Sequence, residues 1–541
     1  MSQLLTIEEA SKWATNLLER TVTPSNISYL IQYGRIRKYR DNGKTFVRST
    51  DLEKYYESQF KPKEELWKKH LGEDLNWALS FDEYKESERT KHVHRLHPYK
   101  GKFIPQLVEY FLDEHTDEFK KEAFFKKGDI VLDPFCGSGT TLVQANELGM
   151  HAIGIDISAF NALISNVKIE KQDLTKLKNT IDNITLALKE FQKNRKNIEF
   201  EEHLLSELNI INNKYFPSPE FKIKVRRGQI NEKAYAVEKE RSFLDIYNNF
   251  IIKYQIPLKQ KSNNTFLDKW FLQPVRDEID FAFEEIRKIE NVNLKKILAV
   301  ILSRTIRSCR ATTHADLATL KEPVTTTYYC KKHGKICKPL FSILSWWERY
   351  GNDTINRLKE FNRLRTDTYQ KCLTGDSRTI DILAKLKKRN KPACAGRLSA
   401  VSAQADSSFD KLVESQKIKG IFSSPPYVGS IDYHEQHAYS YDLFGFERKD
   451  ELEIGPLYKG QGREARNSYI QGIAEVLINC KKHLQNDYDI FLVANDKYGL
   501  YPKIADKAGM KIVNQYKRPV LCRVEKDRST YAEIIFHFKE K

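Results

Sequence analysis

The chain is 541 residues long and carries 90 Lys and Arg against 73 Asp and Glu, a formal net charge of +17. That length suits about three domains, and that charge suits a polyanionic partner, although an anionic membrane surface would attract it too. No apolar run is long enough to span a bilayer. The opening Met-Ser-Gln-Leu-Leu-Thr-Ile-Glu-Glu lacks a secretory pattern, and eight scattered cysteines are not a disulfide framework, so a soluble cytoplasmic protein with reduced thiols is expected.

Residues 1–56 read as a separate unit. Thr6 and Glu9 stand at capping-box spacing, and Ile7, Ala10, Trp13, Ala14, Leu17 and Leu18 follow one helical face. Thr23-Pro24 opens a second helix, carrying Ile27, Leu30 and Ile31. The basic run Gly34 to Arg40, then Asp41-Asn42-Gly43, then Lys44 to Val47, predicts a hairpin, because Asn-Gly favours the two-residue turn between strands. The unit resembles a small winged helix-turn-helix of the excisionase type. That resemblance implies a wing in the hairpin and phosphate contacts from Arg35, Arg37, Lys38 and Arg40. A helical cap with a solvated basic edge, or a protein-binding module, would use the same residues. Residues 57–90 are charged and helix-prone and read as a helical connector.

Residues 91–168 carry the first chemical signal. His97-Pro98-Tyr99-Lys100-Gly101-Lys102-Phe103-Ile104-Pro105 leads into a helix reaching Leu112, with Pro105 in its first turn. Then Asp129-Ile-Val-Leu-Asp133-Pro-Phe-Cys-Gly137-Ser-Gly139-Thr-Thr141 combines a short buried strand, a glycine turn and a helix running to Leu148. Gly137 and Gly139 let the backbone approach a ligand closely. A second strand, His151 to Asp156, ends in a carboxylate 17 residues past Gly139. A ribose-binding acid is expected about 20 residues after such a turn, so this tract reads as a Rossmann-type nucleoside site.

Residues 169–370 show mostly helical spacing, with runs at Leu174–Phe191, Arg276–Ile306 and Leu340–Leu364. Arg304, Arg307, Arg310, Thr312, Thr313, His314 and Lys321 crowd one part of it. Such residues contact phosphates and base edges, which suggests target recognition; a structural insertion with a basic face is the alternative. Within it, Cys330-x2-His333-x3-Cys337 has zinc-compatible spacing but only three ligands, with Cys309 or His314 as a fourth. A closed structural zinc site needs four, so no metal site is assigned.

Residues 371–541 open on Leu373-Thr374-Gly375-Asp376-Ser377. A surface loop is expected over 386–410. The apolar run Gly420 to Ser423 breaks into Ser424-Pro425-Pro426-Tyr427. Two prolines fix two φ angles and remove two donors, leaving a stiff loop of carbonyl oxygens flanked by a hydroxyl and an aromatic ring. That set suits a planar base bearing an exocyclic amine. A helix over Tyr439 to Phe444 and strands at Tyr488–Val493, Lys511–Val513, Pro519–Val524 and Tyr531–Phe538 are predicted, the final pair antiparallel.

Asp-Pro-Phe-Cys-Gly-Ser-Gly-Thr-Thr at 133–141 together with Ser-Pro-Pro-Tyr at 424–427 resembles the S-adenosylmethionine-dependent DNA amino-methyltransferases. Ser before the two prolines looks most like the N4-cytosine branch; adenine-N6 members more often carry Asp or Asn there. The resemblance implies an α/β fold, a doubly wound Rossmann-like sheet with an antiparallel C-terminal strand. It implies S-adenosylmethionine held by Lys102, Phe103, Asp133, Phe135, Gly137, Gly139, Thr140, Asp156 and Asp376. Ser424, Pro425, Pro426 and Tyr427 would be catalytic, and Arg307, Arg310 and His314 would join the N-terminal cations on duplex DNA. The partner would be double-stranded DNA, with a cognate restriction endonuclease as companion. The glycine tract precedes the double proline, whereas many members with this tract have the reverse order, which leaves the subgroup open.

No Pro-Cys dipeptide occurs, so cytosine-C5 methylation through a thiolate is not expected. Adenine-N6 methylation, an RNA amino-methyltransferase and a DNA-binding regulator with a degenerate cofactor fold remain the other readings.

Overall fold

The computed structural model describes residues 3–18, 22–32, 35–41, 44–57, 63–84, 86–193, 195–260, 262, 264–316, 320–387, 407–521 and 530–541. At the N-terminus, strands β1 (Leu4–Thr6), β2 (Tyr39–Asp41) and β3 (Lys44–Arg48) form an antiparallel sheet with β3 in the middle. Helices Ile7–Leu18, Pro24–Gln32 and Ser49–Glu57 pack on it through Ala10, Ala14, Ile27, Leu30, Val47 and Leu52. The capping box forms: Thr6 N donates to Glu9 Oε2 at 2.8 Å, and Glu9 N donates to Thr6 Oγ1 at 3.2 Å. Asp41 pairs with Lys44 across the hairpin; the Asn42-Gly43 turn itself lies outside the described residues.

The main sheet comprises β4 (Ile130–Asp133) and β5 (His151–Asp156) and, beyond the small insertion hairpin β6 (Tyr328–Cys330) and β7 (Lys335–Cys337), β8 (Gln370–Thr374), β9 (Ile418–Ser423), β10 (Leu484–Ala494), β11 (Met510–Pro519) and β12 (Ala532–Glu540). Its order is β11-β12-β10-β9-β4-β5-β8. The strands from β10 to β8 in that order run parallel, while β12 lies antiparallel between β10 and β11. Alternate residues serve opposite faces: Val131, Ala152, Cys372 and Phe422 join one core, Ile130, Leu132, Ile153 and Ile421 the other. Both faces are covered, as a largely parallel sheet requires.

The insertion is helical and packs into the first of these cores through residues such as Leu188, Phe200, Ile279, Leu298 and Trp347. The helix expected over Arg276–Ile306 is two, Gln273–Arg287 and Val292–Ser308. Asn291 separates them by accepting from Leu294 N at 3.0 Å, an N-cap that starts the second helix. The strand expected at Lys511–Val513 lies within β11, which runs to Pro519; of the strand expected at Pro519–Val524 only the part to Leu521 lies within the described residues, and there Val520 N donates to Tyr531 O. Most of the loop expected over 386–410 lies outside the described residues. The connector does more than link: Trp67 packs with Leu75 and Leu521, and Asn76 N donates to Lys517 O at 2.7 Å, so it covers the β11 edge. Among the described residues no helix is long and apolar enough to cross a membrane.

Candidate active site

β4 and β9 are neighbours, with Val131 opposite Gly420 and Leu132 opposite Ile421. The glycine turn and the double-proline loop therefore leave the same sheet edge, where a doubly wound fold gathers its ligands. Gly420 is required there, since a Cβ would lie 2.1 Å from Asp489 O on the neighbouring strand. A side-chain bond joins the two strand ends: the Ser423 hydroxyl donates to Asp133 Oδ1 at 2.6 Å. Phe135 N donates to the same oxygen at 3.2 Å. Burial pushes the Asp133 carboxyl up to about 6.

Together the two loops border a cleft of about 830 Å³, open solvent at its mouth included. Its wall contains Lys102, Phe103, Phe135, Gly137, Thr140, Asp156 and Asp376 from the expected cofactor set, and Ser424 and Pro426 from the expected catalytic set. Asp133, Gly139, Pro425 and Tyr427 adjoin these residues without being among those that line it. Asp133 is the strand-end latch. Gly139 turns the chain into helix Thr140–Glu147 at φ +78°, where a Cβ would come within 2.9 Å of Ser165 Oγ. Pro425 is buried. The Tyr427 hydroxyl donates to Glu533 Oε1 at 2.7 Å, tying the loop to β12.

Asp156 fastens the turn. Gly137 N donates to its Oδ2 at 2.8 Å, and Ser158 N and Asn161 Nδ2 donate to its Oδ1 at 2.8 and 3.1 Å. Burial outweighs these bonds and pushes the Asp156 carboxyl up to about 6. Asp376 differs. Burial would raise it too, but the Arg378 guanidinium bonds both its oxygens at 2.6–3.0 Å and holds it below the usual carboxylate range. Lys102 donates to His94 O at 2.9 Å, and burial with Arg95 and Arg357 nearby lowers its ammonium to about 8.

Further wall residues lie outside the expected site set. Tyr99 packs on the Gly137 turn and stacks on Tyr433 at 6.2 Å, and both line the cleft. Glu453 also lines it and accepts from the backbone N–H groups of Tyr433 and His434 at 3.2 and 2.8 Å. Behind them, His97 Nε2 meets Ser303 Oγ at 2.9 Å, and Ser303 Oγ meets Ser440 Oγ at 2.7 Å. One chain of bonds thus joins the segment before β4, the insertion and the helix Ala438–Phe444.

Residues 16–167 match a DNA methylase family. Over 549 aligned residues, 99% of this chain and 97% of the relative, the sequence is 46% identical to the type II methyltransferase M.MjaII of Methanocaldococcus jannaschii. The chain belongs to the type II DNA methyltransferases. Shorter stretches of this methyltransferase resemble M.MvaI of Kocuria varians, another type II methyltransferase, at 34% identity over 117 residues (22% of this chain, 24% of that one). A tRNA (guanine(10)-N2)-dimethyltransferase of Methanocaldococcus jannaschii is 37% identical over 81 residues (14% and 23%). No solved structure matches.

The methyltransferase's cleft fits a nucleoside-bearing ligand. Ser138 Oγ and Asn161 Oδ1 are buried in its wall and have no partner among the described residues. Asp156 offers the acceptor and Gly137 the close backbone approach.

The cations expected on DNA are dispersed. Arg35 and Arg37 are exposed and share a cleft with Lys54 and Arg226 of the insertion, and Lys38 is half-buried; nothing is described of the Arg40 side chain. Arg307 is half-buried. Arg310 is buried, with its guanidinium 5.8 Å from the Tyr439 ring centre, and Arg304 is taken up by Asp353 at 2.5 Å. His314 lies among Cys330, His333 and Cys337.

Proposed function

We propose that this type II methyltransferase methylates the N4 amine of cytosine at a specific duplex sequence, as the modification half of a restriction–modification pair with a cognate endonuclease. The observation that carries this reading is the pairing of the glycine turn with the double-proline loop on one cleft, latched by Asp133 and Ser423.

S-adenosylmethionine is the proposed cofactor, and it supplies a methyl activated by a sulfonium. Asp156 accepts from the ribose hydroxyls. Lys102, Phe103, Phe135, Gly137 and Thr140 border the methionine end, and Asp376 lies toward the adenine. The cytosine amine is a poor nucleophile because its lone pair delocalises into the ring. The Ser424 hydroxyl and the Pro425 carbonyl accept its N–H bonds, favour a tetrahedral nitrogen and aim the lone pair into the cleft, a positioning and electrostatic contribution. The proton leaves after transfer, so no strong base is needed. A paired amine is inaccessible, so the base is rotated out of the duplex. The half-buried Tyr427 ring, its hydroxyl fixed on Glu533, is the stacking surface proposed for it. The N-terminal unit is read as a winged helix that grips phosphates through Arg35 and Arg37.

Base-modification sequencing of DNA from a host expressing the chain tests the assignment. N4-methylcytosine in one sequence context is expected; N6-methyladenine alone would move the assignment to the adenine branch.

A further inference from the structure

Remote from the cleft, the fold brings together four side chains from two segments of the insertion. His314 follows helix Val292–Ser308, and Cys330, His333 and Cys337 belong to the β6–β7 hairpin. One potential ligand atom from each lies within 4.8 Å of all the others. Cys337 Sγ is 3.6 Å from His333 Nδ1. A tetrahedral zinc with Zn–S of about 2.3 Å and Zn–N of about 2.0 Å spaces its ligands about 3.3–3.8 Å apart, so the cluster is close to that geometry. The three-residue spacing in the hairpin is incomplete alone; His314, 16 residues before Cys330, makes it a set of two sulfurs and two imidazoles.

The surroundings match the chemistry. The Tyr328 hydroxyl contacts His314 Nδ1 at 2.8 Å, which leaves Nε2 for a metal and fixes the ring, the usual outer support of a metal-bound histidine. Gly334 turns the hairpin at φ +65°, with its N–H donating to Cys330 O at 2.7 Å. The hairpin is seated rigidly: Asn212 exchanges two bonds with the Ile336 backbone at 2.9 and 3.0 Å, and Tyr329 N donates to Glu240 Oε2 at 3.0 Å. Cys309, the other candidate fourth ligand, is buried and is not part of the group.

We propose that His314, Cys330, His333 and Cys337 hold a structural zinc ion that pins segment 309–316 to the β6–β7 hairpin. On binding, the two thiols release their protons to solvent, and the two thiolates neutralise the dication. All four positions are filled by protein, so the ion is closed to substrate and acts on folding rather than on chemistry. The segment it fixes begins beside Arg310, whose guanidinium faces Tyr439 of the helix after the double-proline loop. Zinc would thus hold the recognition insertion in register with the catalytic half.

The test uses the full-length protein purified without chelators. Elemental analysis should find about one zinc per chain. Replacement by cobalt should give the thiolate charge-transfer and intense ligand-field bands of a tetrahedral site. Cys330→Ser should abolish both signals. Should that variant fail to fold, His333→Asn at an exposed ligand position should still lose zinc to a chromophoric chelator, and Tyr328→Phe should weaken affinity roughly ten- to a hundredfold. Wild-type protein with reduced thiols that takes up neither zinc nor cobalt would overturn the proposal. So would an intact mass showing Cys330 and Cys337 joined as a disulfide.

Discussion

The two walls of the cleft rise from neighbouring strands yet are built in opposite ways. The wall after β4 and β5 uses backbone donors and carboxylates: Gly137 N and Ser158 N are aimed at Asp156, and Ser138 Oγ and Asn161 Oδ1 have no partner among the described residues. The wall after β9 has no N–H at Pro425 or Pro426 and is held from outside, through Ser423 on Asp133 and Tyr427 on Glu533. The first can both give and accept hydrogen bonds; the double-proline step of the second has only carbonyl oxygens to offer. A ligand with mixed polarity suits the first, and a group that only donates, such as an amine, suits the second. Stiffness differs for the same reason, because proline sets φ without any partner.

The comparison breaks most visibly at Ser424. Ser424→Ala should lower single-turnover methyl transfer about 10²–10³-fold while leaving cofactor affinity intact; equal losses in both would place Ser424 on the cofactor wall. Asp156→Ala should do the reverse. Losing hydrogen bonds to a charged acceptor costs roughly 1.5–3 kcal/mol, so cofactor affinity should fall about 10–100-fold by equilibrium titration. Unchanged affinity would remove Asp156 from the site. The same carboxyl, at about 6, should make cofactor affinity fall as pH drops through 6, a dependence that Asp156→Asn should flatten.

The latch between the walls gives a smaller effect. Asp133→Ala strands the Ser423 hydroxyl and should cost about 1–3 kcal/mol in denaturant unfolding. Asp133→Asn keeps an acceptor without a buried charge. The Asp133 carboxyl is raised from 3.8 to about 6, so its contribution to stability is complete below 3.8 and is lost as pH rises through 6. The Asn variant should therefore equal or exceed the wild type at neutral pH and lose that advantage in acid. The smallest effect is expected far from the cleft: Arg37→Ala should weaken DNA binding across sequences and reduce the salt slope by about 1, with cofactor binding unmoved.

What could be read in the sequence was contiguous. β4, its glycine turn, β5 and the acid at Asp156 lie within one crossover, and the break at Ser424 follows one apolar run. Asp376 was visible, but its lock was missed although Arg378 stands two residues on. Tyr433 and Glu453 come from an irregular stretch without periodicity, and their place in the wall arises only when the chain folds back on Tyr99. The split at Asn291 was written as a cap, yet apolar spacing on both sides hid it. Spacing alone left Cys309 and His314 as equal candidates beside Cys330, His333 and Cys337; only the fold brings His314 to sulfurs 16 and 23 positions later in the chain.

The contact between the connector and β11 keeps part of that sheet edge from pairing with another strand. Asn76, Leu75 and Trp67 sit where the outermost strand would otherwise offer open hydrogen-bonding groups to another copy. A chain trimmed only to remove the N-terminal unit keeps this shield; one trimmed past Asn76 bares a ribbon edge and is expected to self-associate. The connector thus protects an edge strand formed far later in the chain.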